Sequence, residues 1–179
     1  MNYYQQYKPF IHFLGRFFLS YIVATVVYQT YLRSLDLAIF EPDFFTKIVT
    51  EQSVWLLNAL GYVASMGPSI NEPAFRIYLG AESVVRIVEG CNAVSIMILF
   101  TAFVIAFTGK LKSTVLFILS GVLIIHFLNI ARIVALILGL NAYPEYGNLM
   151  HDVVFPLLIY GVTFVLWIVW VTKFSNYAK

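Results

Sequence analysis

Four long apolar runs dominate the sequence and constrain the fold more than any other feature. They cover about 10–32, 92–107, 115–140 and 149–171. A helix needs about 20 predominantly apolar residues to cross the hydrocarbon core of a bilayer. The composition agrees, because 61% of the residues are hydrophobic and only 11% are charged, whereas a soluble domain carries about 25% charged residues. The sequence therefore predicts an all-α polytopic membrane protein, with residues 1–179 forming a single integral membrane domain.

The segment 33–90, between the first two runs, has a different pattern. Residues 47–66 mix apolar side chains with Glu51 and other polar residues, which indicates an amphipathic helix lying on the membrane interface. A fifth transmembrane crossing in this segment is the alternative to the four-helix topology. Residues 75–89 alternate apolar and polar side chains on either side of Gly80, which predicts a small β-hairpin.

The charged residues divide by sign between the two sides of the membrane. With four crossings and the N-terminus inside, the inner side holds lysines alone, and the outer side holds all nine acidic residues. Positive residues keep loops in the cytoplasm, so segment 33–90 is expected outside. The inner lysines are Lys8, Lys110, Lys112, Lys173 and Lys179, and the outer acids are Asp36, Glu41, Asp43, Glu51, Glu72, Glu82, Glu89, Glu145 and Asp152. The basic residues form no patch, so no nucleic-acid partner is expected.

This topology brings three reactive side chains to the outer side of the membrane. Cys91 lies at the outer start of the run 92–107, and His151 lies at the outer start of the last run. Arg132 lies eight residues before the outer end of the run 115–140, about 12 Å along the helix. A thiol, a guanidinium and an imidazole from three separate helices are therefore expected to meet.

Each of these residues also has a simpler interpretation. A lone cysteine in a membrane protein is usually inert packing, and a histidine at a helix end is often only interfacial. An arginine in lipid costs at least about 2.5 kcal/mol, so Arg132 needs a partner or a cavity. An ion pair with Asp152 or Glu89 that merely joins helices is the structural alternative.

The chemistry of the three residues fits acyl transfer. A helix N-terminus lowers the pKa of a cysteine, and Asn92 is a good N-cap residue directly after Cys91. His151 can accept and donate the proton. Arg132 can stabilise the oxyanion that forms on an attacked carbonyl. Asn129, three residues before Arg132 on the same helix face, is expected to orient it.

The motifs around these residues resemble those of the exosortase/archaeosortase family. Glu89-Gly90-Cys91 resembles its Glu-x-Cys motif, Asn129-Ile130-Ala131-Arg132 resembles its Asn-x-x-Arg motif, and His151 matches its third catalytic position. The resemblance covers about 59–170, and the short chain with its Cys-Asn-Ala-Val sequence is most similar to the exosortase F subfamily of Bacteroidetes. Many relatives have glycine two residues after the cysteine, where this chain has Ala93.

The resemblance implies a multi-pass protein of the inner membrane whose active site faces the periplasm. Relatives act on secreted proteins that carry a C-terminal sorting signal composed of a short motif, a transmembrane helix and a basic cluster. The implied enzyme is a cysteine transpeptidase that cleaves this signal and transfers the acyl group to an acceptor. The implied catalytic residues are Cys91, Arg132 and His151, with Glu89, Asn129 and Asp152 in support. No cofactor is implied, and Glu89 has either a catalytic role or a structural role in the hairpin.

Two other functions fit parts of the sequence. In the first, the chain is a non-catalytic scaffold or transporter accessory subunit whose polar residues pair helices. In the second, Cys91, His151 and Asp152 bind a metal, although the chain has a single cysteine and no recognisable metal-ligand spacing. His126, deeper along the helix of Arg132, is interpreted as structural.

Overall fold

A computed structural model describes residues 3–35, 40 and 42–175 of the chain, with side chains from residue 7 onward. Asp36, Glu41 and Lys179, which contribute to the predicted charge partition, lie outside the described residues. In chain order the helices and strands are α1 (Tyr3–Arg33), α2 (Phe44–Ala59), β1 (Ala64–Pro68), β2 (Phe75–Leu79), β3 (Glu82–Ile87), α3 (Val94–Ala106), α4 (Leu111–Ala142), α5 (Gly147–Leu149) and α6 (Phe155–Val169). Turns of 3-10 and π helix join α5 and α6 into one helical segment, Pro144–Phe174.

Three of the described helices are long and apolar enough to cross a membrane. They are Tyr7–Arg33 within α1, all of α4, and the segment Pro144–Phe174. The predicted crossing at 92–107 corresponds to α3, an apolar helix of 13 residues. At 1.5 Å per residue it is about 20 Å long, shorter than the hydrocarbon core of about 30 Å. The structure is therefore a helical membrane protein with three long candidate spans and a shorter apolar helix.

The core of the helical part forms around α3, which packs against α1, α4 and α6. Phe100 of α3 and Trp170 at the end of the last helical segment are fully buried in it. Gly121 of α4 allows the two helices to approach closely, because a Cβ atom at this position would clash with the ring of Phe100. By contrast, the most apolar stretch of α1 buries none of its residues, which suits a lipid-facing helix.

Helix α2 confirms only part of the predicted amphipathic helix at 47–66. It begins earlier, because the carboxylate of Asp43 accepts the backbone N–H of Thr46 at 3.0 Å and caps the helix start. It ends at Ala59, and Gly61 then turns the chain with a φ of +92°, a conformation that glycine adopts without steric cost. Residues 64–66, predicted as the end of the helix, instead belong to strand β1, where pairing with β2 satisfies the backbone.

The predicted hairpin at 75–89 is confirmed as strands β2 and β3, although β3 already ends at Ile87. The two strands belong to an antiparallel three-stranded sheet of order β1-β2-β3, so the expectation of an all-α chain with one hairpin missed a strand. Leu57 of α2, Ile77 and Ile87 of the sheet, and Ile137 of α4 form a second buried cluster. This cluster fixes the sheet against the C-terminal half of α4.

Candidate active site

Cys91 closes the 3-10 turn Glu89–Cys91, immediately before α3. Its backbone N–H donates to the carbonyl of Val88 at 2.8 Å. Its own carbonyl accepts a hydrogen bond of 2.8 Å from Nδ2 of Asn129, a fully buried residue of α4. The thiol is free and half-buried. Local turn geometry and a contact from α4 therefore fix the backbone of the cysteine.

Asn92 anchors the other side of this turn in a buried polar cluster. Its Nδ2 lies 2.9 Å from the Tyr28 hydroxyl, 3.2 Å from Oδ1 of Asp43 and 3.3 Å from Oγ1 of Thr46. All four side chains are at most 6% exposed. The hydroxyl of Thr46 also donates to Asp43. This cluster, which we call the Asn92 cluster, joins α1 and α2 to the turn that carries the cysteine, and the sequence pattern did not reveal it.

The start of α3 differs slightly from the predicted capping. Ala93 occupies the N-cap position, and Asn92 caps from one residue upstream, with its Oδ1 accepting the N–H of Val94 at 2.9 Å. Ala93 has a φ of +62°, in the left-handed region. Glycine adopts this region without the steric penalty of a side chain. Glycine, which the resemblance places at this position in many relatives, would adopt this conformation without strain.

Arg132 lies half-buried on α4. Its Nε atom is buried and has no hydrogen-bond partner, and none of the ion pairs among the described residues includes it. The two acids considered as its partners lie in other contacts. Asp152 binds His151, and Glu89 lies near the Tyr28 hydroxyl. Asn129, expected to orient Arg132, donates instead to the carbonyl of Cys91. The guanidinium is therefore available for a ligand.

His151 lies on the π-helical turn Met150–Val154 that leads into α6. Its Nδ1 is 2.7 Å from Oδ1 of Asp152, and both side chains are more than half exposed. A carboxylate on Nδ1 favours the tautomer that carries its proton there and leaves Nε2 as the acceptor. Single π-helical turns are frequent at functional sites, since they reorient side chains within a helix.

Cys91, Arg132 and His151 line the same two adjoining cavities. The first, the helix cavity, has a volume of about 310 Å³ and extends between α3 and α6 to Ile96 and Tyr160. The second, the strand cavity, has a volume of about 380 Å³ and extends along β3. The structure thus brings a thiol, a guanidinium and an imidazole together, as expected from the topology.

His126 does not line either of the two cavities. His126 bonds through Nε2 to Oε1 of Gln52 on α2 at 2.7 Å, which agrees with a structural role. Within the described residues, no three His, Cys, Asp or Glu side chains converge in a way that could hold a metal ion. Cys91, His151 and Asp152, the residues of the metal alternative, are not arranged as such a group.

The fold and the cavity define a polytopic membrane protein with a half-buried thiol beside an arginine and a histidine. Comparison with protein families gives the more specific result. The model of the transmembrane exosortase family (Exosortase_EpsH) matches residues 17–169, and the chain belongs to this family. Comparisons with curated proteins and with solved structures give no match. Family membership supports a transpeptidase-type function for this membrane protein.

Proposed function

We propose that the chain is a cysteine transpeptidase that cleaves the C-terminal sorting signal of secreted proteins and transfers the acyl group to an acceptor. The observation that carries the proposal is the convergence of Cys91, Arg132 and His151 on the same two cavities. They come from three separate parts of the chain, and their side chains supply the three functions that acyl transfer by a thiol requires.

In the proposed reaction, the Cys91 thiolate attacks a backbone carbonyl of the substrate and forms a C–S bond. Arg132 stabilises the resulting oxyanion. Protonated His151 then donates its proton to the leaving amine as the C–N bond breaks, which releases the C-terminal helix of the substrate and leaves a thioester. An acceptor nucleophile attacks this thioester, passes its proton to His151 and regenerates the thiolate. Asp152 orients His151 through Nδ1.

The proposal also covers the membrane in which the protein lies, its topology and its subfamily. The protein lies in the inner membrane as one domain with four transmembrane helices, α3 and its flanking residues forming the short one. The cavities face the periplasm, and the sheet and α2 lie on that side. The chain is grouped with the exosortase F subfamily. The charge partition and the Cys-Asn-Ala-Val sequence support these assignments.

A covalent trap on the cysteine tests the reaction. The chain has a single cysteine, so every thioester formed on it must involve Cys91. Membranes from the native cell, quenched in acid and analysed by mass spectrometry, should contain a Cys91 peptide joined to the new C-terminus of a secreted protein. Cys91→Ala should abolish the adduct and leave an uncleaved, membrane-retained substrate. Cys91→Ser should be nearly as inactive, because a serine hydroxyl is not anionic at neutral pH. A scaffold would behave like wild type with either substitution.

Labelling of introduced cysteines tests the topology in a Cys91→Ala background. Phe45 and Leu111 are both exposed, at the starts of α2 and α4. A membrane-impermeant maleimide should label Phe45→Cys in intact spheroplasts, and it should label Leu111→Cys only after lysis. Labelling of Leu111→Cys in intact cells would contradict the proposed orientation.

A further inference from the structure

Strand β3 forms one edge of the three-stranded sheet. The order β1-β2-β3 pairs β3 with β2 on one side, and no other strand of the described chain pairs with it on the opposite side. An edge strand presents a row of backbone N–H and C=O groups to which another chain can pair. Folded proteins usually cover or interrupt such edges. What lies beside the free edge of β3 therefore indicates whether another chain can pair with it.

The strand cavity runs along this free edge. It is lined by every residue of the consecutive stretch Val84–Val88. Successive side chains of a regular strand point to opposite faces of the sheet, but a bulge leaves Val84 without a partner residue on β2 and interrupts this alternation. The cavity continues past the bulge through Arg86 and Ile87 to Val88, so it follows the strand along its length. The same cavity reaches Cys91, Arg132 and His151, which connects the free backbone groups directly to the reactive side chains.

We propose that the substrate binds as an added strand: the extended segment next to the scissile bond pairs with the free edge of β3 and places its carbonyl at Cys91. This inference rests on the proposed function and specifies how the substrate is recognised. Strand addition is a general mode of peptide recognition, in which main-chain hydrogen bonds supply affinity and pockets for alternate side chains supply specificity.

The occupant follows from the chemistry of the edge and the position of the cysteine. The edge offers backbone donors and acceptors, which an extended peptide matches and a lipid or a helix does not, because a helix satisfies its own backbone groups. Cys91 follows β3 by only four residues. A peptide that pairs with β3 therefore continues into the space between the thiol and Arg132. The bulge between β2 and β3 at Ile77/Tyr78 adds local twist beside this site.

Photo-crosslinking from the two sheet edges tests the position of the substrate. Ser83 on β3 and Ser65 on β1 are both exposed serines, on opposite edges. A benzophenone amino acid replaces one or the other in a Cys91→Ala background, in membranes of the native cell. Position 83 should crosslink the same secreted protein that is trapped on Cys91 of the wild type, with at least five times the yield of position 65. Equal yields, with the adduct present on Cys91 of the wild type, would overturn the strand-addition proposal and leave the function intact.

A peptide experiment tests the backbone pairing itself. The probe is a synthetic six-residue peptide that copies the substrate sequence found on Cys91, matched to the six residues of β3. The assay measures how well the peptide protects Cys91, the only thiol, from alkylation. N-methylation of alternate residues should weaken protection at least tenfold, whereas methylation of the intervening residues should change it less than twofold. Uniform effects along the peptide would overturn the proposal. Absence of any Cys91 adduct would instead remove the function on which it rests.

Discussion

Replacement of Arg132 by methionine should raise the stability of the protein and abolish its activity. The guanidinium is half-buried, its Nε has no partner, and no carboxylate of the described chain forms an ion pair with it. A buried donor without a partner costs about 1–3 kcal/mol, and an arginine within a membrane helix costs at least about 2.5 kcal/mol. Methionine has a similar length and no polar atoms that need a partner. Arg132→Met should therefore raise the free energy of unfolding by about 1–3 kcal/mol.

The same substitution should abolish turnover. Loss of one oxyanion donor typically reduces kcat by about 100-fold to 1,000-fold. Arg132→Lys should also lose most activity while the protein still accumulates, because lysine keeps the charge but lacks the planar fork of donors. Activity is followed as conversion of the secreted protein to its shortened form, and stability as SDS-induced unfolding of the purified protein, monitored by tryptophan fluorescence.

Arg86→Met is the matched control. The Arg86 side chain is 64% exposed and pairs with Glu72 at 2.8 Å, and an exposed pair contributes about 0–1 kcal/mol. This control should lower stability slightly, in the opposite direction to Arg132→Met. If Arg132→Met unfolds more easily than Arg86→Met, Arg132 has a structural partner and the reasoning is refuted. Full activity of Arg132→Lys would show that charge alone is sufficient.

Substitutions at three further positions, Ala93, Asn129 and Asp152, test the geometry around the cysteine. Ala93→Gly should remain within about 1 kcal/mol of wild type in unfolding, because relief of the positive φ offsets the buried methyl group that is lost. Ala93→Val should unfold clearly more easily, and equal stability of the two variants would contradict the left-handed conformation. Asn129→Ala should cost about 1 kcal/mol by removing a buried hydrogen bond, whereas Asn141→Ala, at an exposed position of the same helix, should be neutral. Asp152→Asn should reduce turnover by less than the roughly 100-fold contribution of a general base, because its pair with His151 is exposed; unchanged turnover would show that Asp152 does not orient the histidine.

The convergence of Cys91, Arg132 and His151 on shared cavities could be predicted because it depends on only two sequence features, the apolar runs and the distribution of charge. Apolar runs define the helices, and charge asymmetry assigns their ends to one side. In a small bundle, residues at the same membrane surface on different helices then lie close to one another. The partner of Asn129 could not be predicted in this way. Spacing along one helix suggested Arg132, but a buried amide bonds to whatever unsatisfied group packs against it, and here that group is the carbonyl of Cys91.

The segment 60–68 shows a second limit of prediction from the sequence. Its residues up to 66 fit the end of an amphipathic helix, and the sequence pattern does not reveal the strand that pairs with them. Pairing with β2 decides the outcome, because tertiary context overrides weak local propensity in short segments. Two local signals, which the prediction of a helix at 47–66 does not use, indicate the limits of α2. Asp43 before an apolar run indicates a helix start, and Gly61 indicates its end. Both agree with the observed limits of α2.

The Asn92 cluster also determines how the site is enclosed. Tyr28, Asp43 and Thr46 are distant in sequence from Asn92, and each fits an interfacial or loop position when considered alone. Together they bond Asn92 from one side, while Asn129 holds the Cys91 carbonyl from the other. The turn that carries the thiol is therefore fixed by buried bonds, whereas His151 and its acidic partner are exposed. In the proposed strand addition, a substrate backbone enters between β3 and the histidine. The segment between α1 and α3 thus supplies Cys91 itself, the strand beside its cavity and most of the Asn92 cluster.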